Sequence, residues 1–188
     1  NININRIYNN LDNLLANEGK KVDLFVVLAP TPNHYEILKK LKLNNVNIIV
    51  EKPILSNFDE VKKLKKYLKG YNKKIYVVHN YIGYPAIREI QQLIQSNKFG
   101  KLLNFKLQMA QESFLRVQRK DQKVKIWRKH DHKIPNLFLD LGIHLFNLSN
   151  FLINKTPDSV LCDVKKNKNL VTDSKILLNY KMKTKGLL

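Results

Sequence analysis

The chain has a single cysteine, Cys162, among its 188 residues. That excludes a disulfide framework and any metal centre built on several thiolates, and it fits a reducing cytoplasm. Glycine is scarce too. The six glycines, at 19, 70, 83, 100, 142 and 186, never fall into G-x-G-x-x-G or G-x-x-x-x-G-K spacing, so no loop reads as a phosphate cradle. No G-x-S-x-G elbow occurs, which removes a common setting for an activated serine. No apolar run reaches the length of about 18 residues that a membrane span requires, and no charged-then-apolar leader of the secretory kind is present.

Acidic residues are few. Only 15 Asp and Glu face 34 Lys and Arg, for a net charge of +19, which invites a nucleic-acid reading. Yet 29 of the basic residues are Lys and 5 are Arg, beside 23 Asn and 17 Ile, so 69 of 188 positions carry residues with A/T-rich codons. Readers of DNA grooves favour arginine, whose planar fork matches guanine. The dispersed lysines read as a solvated surface with the imprint of an A/T-rich genome, and no specific nucleic-acid partner is expected. A basic nucleic-acid-associated protein remains as an alternative.

Against these absences stands a regular succession of elements. Residues 11–15 (LDNLL) read as the end of a short helix. Residues 22–28 (VDLFVVL) form a nearly continuous apolar run, the pattern of a strand covered on both faces. The loop APTPNH follows, and Asn33 is placed to cap a helix over 34–43. Residues 46–50 (VNIIV) read as a second strand, Ser56 and Asp59 as a capping box for a helix over 57–68, and 75–78 as a third strand. Strand, helix, strand, helix, strand predicts a parallel sheet with right-handed crossovers.

Beyond residue 82 the texture changes. Residues 85–96 form an amphipathic helix, and 101–111 alternate Leu103, Phe105, Leu107 and Met109 with polar neighbours, as a half-buried strand does. An apolar helix over 137–153 and strand-like runs at 159–165 and 174–180 follow. The fold expected is α/β: the C-terminal part of a Rossmann-type parallel sheet in 1–82, then in 83–188 part of an α+β domain with an open, mostly antiparallel sheet. The chain starts at Asn1 and stops just after a strand-like run, so both domains read as truncated.

Two stretches carry chemistry. In VEKPI (50–54) a buried strand ends on Glu51, Lys52 and Pro53. Open α/β sheets bind ligands at the carboxyl ends of their strands, and proline holds Lys52 on extended backbone. The same residues also suit a plain solvated turn. In LFLDLGIHLFNLSNFL (137–152), Asp140 and His144 stand four apart on a helix that is otherwise apolar. A buried carboxylate there needs a partner, and a His steadied by an Asp can act as a general base. A structural hydrogen-bonded pair is the alternative. Gly142 between them leaves room for a close approach. His130-Asp131-His132 lies in a polar loop without further ligands, so no metal is expected.

In this order, VLAPTPNH, VEKPI, YVVHNYIGYPAIREIQQLIQSNKFGKL and IWRKHDHKIPNLFLDLGIHLFNL resemble the glucose–fructose oxidoreductase / inositol dehydrogenase (Gfo/Idh/MocA) family, over about residues 10–188. The departures are Ala29 where Ser or Thr is usual, Pro135-Asn136 for a Gly-Gly, and Asn147 for an Asp. The resemblance implies an NAD- or NADP-dependent oxidoreductase acting on a sugar, nucleotide-sugar or polyol hydroxyl. It implies Lys52, His144 and Asp140 as catalytic residues: His144 the acid/base, Lys52 beside the substrate hydroxyl, Asp140 orienting His144 or binding sugar. It implies Pro30, Asn33, His34, Glu51, Lys52, Asn80, Trp127 and Arg128 at the cofactor. It also implies a dimer or tetramer paired through the open sheet face, and a first strand–loop–helix of the dinucleotide fold upstream of Asn1. A non-catalytic relic or sugar-binding paralogue is the alternative.

Overall fold

The computed structural model describes residues 6–111, 130, 131, 133–181 and 184–188, and the chain divides into two units, Asn1–Val78 and His79–Leu188. The first unit opens with α1 (Leu11–Glu18), capped by the Asn10 side chain, which accepts from Asn13 N–H at 2.8 Å. Then come β1 (Leu24–Val27), a 3₁₀ turn (Thr31–Asn33), α2 (His34–Lys42), β2 (Asn47–Val50), α3 (Phe58–Tyr67) and β3 (Ile75–Val77). The strands pair in parallel in the order β1-β2-β3, with Leu24 beside Asn47 and Ile48 beside Ile75. Phe25, Val27, Ile48 and Val50 point to one face and pack on Leu38, Leu41 and Leu64 of the crossover helices.

Coverage on both faces of β1 is not observed. Its residues alternate, and Leu24, Val26 and the following Leu28 are 42%, 55% and 70% exposed. Both crossover helices lie on the other face, so among the described residues the apolar run of 22–28 is covered on one side. Two caps also differ from expectation. Asn33 makes no side-chain cap, because a 3₁₀ turn already leads the chain into α2. Asn57, rather than Ser56, caps α3 by accepting from Glu60 N–H at 2.8 Å. Gly70, at φ +78°, takes the left-handed conformation that ends this helix region.

The second unit begins with a 3₁₀ turn (Asn80–Gly83) and α4 (Pro85–Gln95), with Pro85 in the first turn, where no N–H is needed. A π-helical turn (Phe138–Gly142) runs straight into α5 (Ile143–Ile153). The strands are β4 (Asn104–Lys106), β5 (Ser159–Asn167), β6 (Leu170–Asn179) and β7 (Lys185–Leu187), in the order β4-β7-β6-β5. β5, β6 and β7 pair antiparallel, and β4 joins β7 in parallel. The strand expected over 101–111 is thus three residues long. β7, which was not among the strand-like runs expected from the sequence, lies inside the sheet. Gly186 suits that place, because a Cβ there would come within 2.2 Å of the Phe105 ring.

Helices α4 and α5 cover one face of this sheet, burying Leu152, Ile153, Ile176, Leu178 and Tyr180. They are also tied to each other: Gln91 Nε2 donates to Phe151 O at 2.8 Å and Gln95 Nε2 to Leu152 O at 3.1 Å. The outward face carries Leu161, Leu177 and Leu187 in register across β5, β6 and β7, with Leu161 68% exposed.

Candidate functional site

In the first unit, the carboxyl ends of the parallel strands are organised around a single buried imidazole. His34, at the start of α2, is fully buried. Its Nε2 lies 2.7 Å from Ala29 O, and its Nδ1 lies 3.1 Å from both Pro53 O and Ile54 O. The ring therefore pins the loop after β1 to the turn after β2. A neutral imidazole carries one N–H, so the ring donates to a carbonyl of one loop while packing closely against the other. Pro30 and Asn33 are exposed on the first loop. Glu51 and Lys52 are half-buried on the second, where the Lys52 N–H donates to Glu51 Oε2 at 3.2 Å. The parallel ladder continues to this point: Glu51 N–H reaches Val27 O at 3.0 Å and Val78 N–H reaches Val50 O at 2.9 Å. His34 thus braces from within the loops that present Pro30, Asn33, Glu51 and Lys52.

In the second unit the helix bearing Asp140 and His144 is not uniformly α. The Ile143 N–H reaches back to Phe138 O, an i→i+5 bond, so the segment around Asp140 is a π turn. Such turns occur often at functional sites, and here the widened turn changes the phase between Asp140 and His144 that an α-helix would impose. Gly142 has its reason close by: a Cβ there would stand 3.1 Å from Cδ1 of Phe138, so the close approach is the chain's own phenyl ring. Asp140 is half-buried, and His144 is 8% exposed.

Around His144 the structure gathers aromatic rings that the sequence reading passed over. Tyr81 lies 4.8 Å from His144 between ring centroids at 82°, and His79 lies 6.5 Å away at 87°. Tyr84 stands 6.0 Å from Tyr81. Asn80, which the family resemblance singles out, is exposed between His79 and Tyr81. The crowding of His79, Tyr81 and Tyr84 into one stretch was the available signal.

Asp131 was also missed. Its Oδ1 accepts from Asn136 N–H at 2.8 Å and its Oδ2 from Val171 N–H at 2.7 Å, while Asn136 Nδ2 donates to His130 O. This carboxylate fastens the entry to the π turn onto the start of β6, so the dismissed His130-Asp131 pair holds the helix of His144 in place. Trp127, Arg128 and His132 lie outside the described residues. Among the described residues, no group of three His, Cys, Asp or Glu side chains is arranged to hold a metal ion, and no helix is long and apolar enough to cross a membrane.

Residues 1–79 match the model of the oxidoreductase family with an NAD-binding Rossmann fold, and residues 87–187 match the GFO/IDH/MocA C-terminal domain, which alone is more than half of the chain. The chain belongs to the Gfo/Idh/MocA oxidoreductase family. Among curated relatives of this family member, an uncharacterised oxidoreductase of Schizosaccharomyces pombe is 27% identical over 160 residues, covering 82% of this chain and 39% of the relative. The uncharacterised oxidoreductase YfiI of Bacillus subtilis is 28% identical over 167 residues, covering 84% and 42%. An inositol dehydrogenase homologue from Azotobacter vinelandii, solved with NADH and myo-inositol, shares the fold at a TM-score of 0.74 and 18% identity, over 94% of this chain and 46% of that one. This Gfo/Idh/MocA chain therefore spans about two fifths of the length of the curated relatives it matches.

Proposed function

We propose that the protein to which this chain belongs oxidises a polyol or sugar hydroxyl with NAD or NADP, with His144 as the acid/base. The observation that carries this reading is a nearly buried imidazole at the head of an apolar helix, beside a π turn and fixed edge-to-face by aromatic rings. Burying an imidazole in an apolar helix costs free energy, and an acid/base role gives a reason for it.

The cofactor supplies hydride acceptance when bound. The residues present suit its ring end. Three parallel strands deliver two braced loops at their carboxyl ends, with Pro30 and Asn33 exposed on one and Glu51 and Lys52 on the other. These residues, backed by His34 and joined by Asn80, Trp127 and Arg128, are assigned to cofactor binding. Holding the pyrophosphate is not assigned to them, since the chain has no G-x-G-x-x-G.

In the oxidation direction the substrate O–H bond breaks toward the His144 imidazole, which takes the proton. The C–H bond breaks with its electron pair leaving as hydride, and the C=O bond forms. Lys52 is assigned the supporting role that the family resemblance implies, a cation whose hydrogen bond to the substrate hydroxyl oxygen favours loss of its proton. Asp140 orients the imidazole or binds a substrate hydroxyl. The myo-inositol bound to the Azotobacter relative makes polyols the first substrates to try. The row of Leu161, Leu177 and Leu187 on the open sheet face suits pairing with a second copy, and a free thiol at Cys162 suits a reducing cytoplasm.

The test is turnover of the intact protein with NAD or NADP and a panel of myo-inositol, aldoses and nucleotide-sugars, read by absorbance of the reduced cofactor. His144→Asn is expected to lower kcat by about two to four powers of ten with NADH binding, read by fluorescence, little changed. Unchanged turnover in that variant refutes the assignment.

A further inference from the structure

We propose that Tyr81 is a positioning residue for His144, fixing the plane of the imidazole by its aromatic ring rather than by its hydroxyl. The inference rests on the reading of His144 as the acid/base.

Histidine χ2 has a broad, roughly two-fold torsional profile, so the backbone of α5 does not by itself say where each ring nitrogen points. An acid/base must present one nitrogen to one substrate oxygen, and displacements of about 1 Å can cost about a hundredfold in rate. Something must therefore hold the ring, and Tyr81 is placed to do so: its centroid is 4.8 Å away at an interplanar angle of 82°, the T-shaped arrangement that ring quadrupoles favour. His79 stands at 87° and 6.5 Å, a second and looser wall. The Nδ1 atoms of both histidines are sealed from solvent.

The support is rigid on both sides. Tyr81 sits in the 3₁₀ turn that enters α4, where Tyr84 N–H returns to Tyr81 O at 3.2 Å and the helix starts at Pro85. His144 sits in the first turn of α5. Gln91 and Gln95 of α4 bind the carbonyls of Phe151 and Leu152 at the far end of α5. The two rings are thus carried by helices locked to each other, and their angle follows from packing. Tyr81 and Tyr84, 6.0 Å apart, extend the aromatic wall.

An edge-to-face contact also depends on chemistry that volume alone does not replace. Phenylalanine keeps it; leucine and methionine lose it. The experiment uses the intact protein as Tyr81→Phe, Tyr81→Leu, Tyr81→Met and His144→Asn variants. Two readouts are taken: kcat and KM with NAD and myo-inositol, or whichever polyol of the panel turns over, and the ring Hε1 resonance of His144, identified by its absence in His144→Asn. Tyr81→Phe is expected to keep both within about twofold. Tyr81→Leu and Tyr81→Met are expected to lower kcat about 2- to 13-fold, the kinetic equivalent of about 0.5–1.5 kcal/mol, with KM and NADH affinity held. Their His144 resonance moves toward that of a free imidazole.

A loss in Tyr81→Phe equal to that in Tyr81→Leu overturns the proposal, because the hydroxyl would then be the working part. Full kcat with an unmoved resonance in both Leu and Met variants overturns it as well. Should His144→Asn turn over normally, the acid/base reading fails by itself. The resonance then decides alone: a shift in the Leu and Met variants upholds the hold of Tyr81 on the ring, and no shift overturns it.

Discussion

His34 offers the sharpest test of how the first unit builds its ligand-facing end. It has no exposed surface, and its two nitrogens meet the carbonyls of Ala29, Pro53 and Ile54. Replacing it with leucine keeps the core filled but withdraws the ring's hydrogen bonding from buried carbonyls, a loss of about 1–3 kcal/mol. Replacing it with alanine adds the cavity left by a large-to-small change, for a total of about 3–5 kcal/mol. Against a total stability of about 5–15 kcal/mol this is a large fraction. With a urea dependence of about 2 kcal/mol per molar, the alanine variant shifts the unfolding midpoint down by about 1.5–2.5 M. Urea titration followed by far-UV circular dichroism measures the shift. Amide exchange at Asn33 and Glu51, whose N–H groups bind Pro30 O and Val27 O at 2.9 and 3.0 Å, assigns it to the two braced loops. The reasoning is refuted if the alanine midpoint stays within about 0.3 M of the parent, or if leucine costs as much as alanine. In the second case the cavity would add nothing, and the whole loss would lie in the withdrawn hydrogen bonding.

Two further outcomes follow from the same geometry. Asp131→Ala removes an acceptor from the N–H groups of both Asn136 and Val171 and is expected to destabilise the chain by about 2–4 kcal/mol in the same titration, while Asp131→Asn, which keeps one oxygen, loses about half as much. Burial pushes the hydroxyls of Tyr71 and Tyr180 above the ordinary tyrosine value of 10.0, so the folded state holds these protons where the unfolded chain releases them. Their stabilising contribution is complete below that value and is lost as pH climbs through the raised one. Melting temperature is expected to fall on the alkaline side of pH 10, and Tyr71→Phe is expected to flatten the decline.

Much of the fold was legible because helices and parallel strands leave periodic signals. The order of the first unit follows directly from apolar runs punctuated by loops. What escaped is instructive. An apolar run does not say how many of its faces are covered, and β1 turned out to be buried on one side. Caps are decided by backbone geometry, which let Asn57 displace Ser56 and a 3₁₀ turn relieve Asn33. β7 is too short to carry a period, and its place inside the sheet depends on a glycine meeting Phe105. In the candidate site, Asp140 and His144 stood out because polar groups are rare in an apolar helix. The π turn between them left no trace in spacing. His79, Tyr81 and Asp131 act through contacts formed only after the chain folds, and the crowding of rings at 79–84 was the one trace of them in the sequence.

The one-sided burial of the parallel sheet bears on how this polypeptide survives in solution. Among the described strands β1 lies at the end of the order β1-β2-β3, and Leu24 and Val26 on its exposed face, with the following Leu28, are joined by Tyr76 of β3, which is 56% exposed. An open edge beside an apolar strip is a template for strand addition and self-association. The strip is short and flanked by Lys20, Lys21 and Asp23, the kind of charged neighbours that discourage stacking. The net charge of +19 adds a colloidal barrier, since like-charged copies repel before their sheets can meet. This repulsion is screened by added salt, so self-association of the isolated chain is expected to rise with ionic strength.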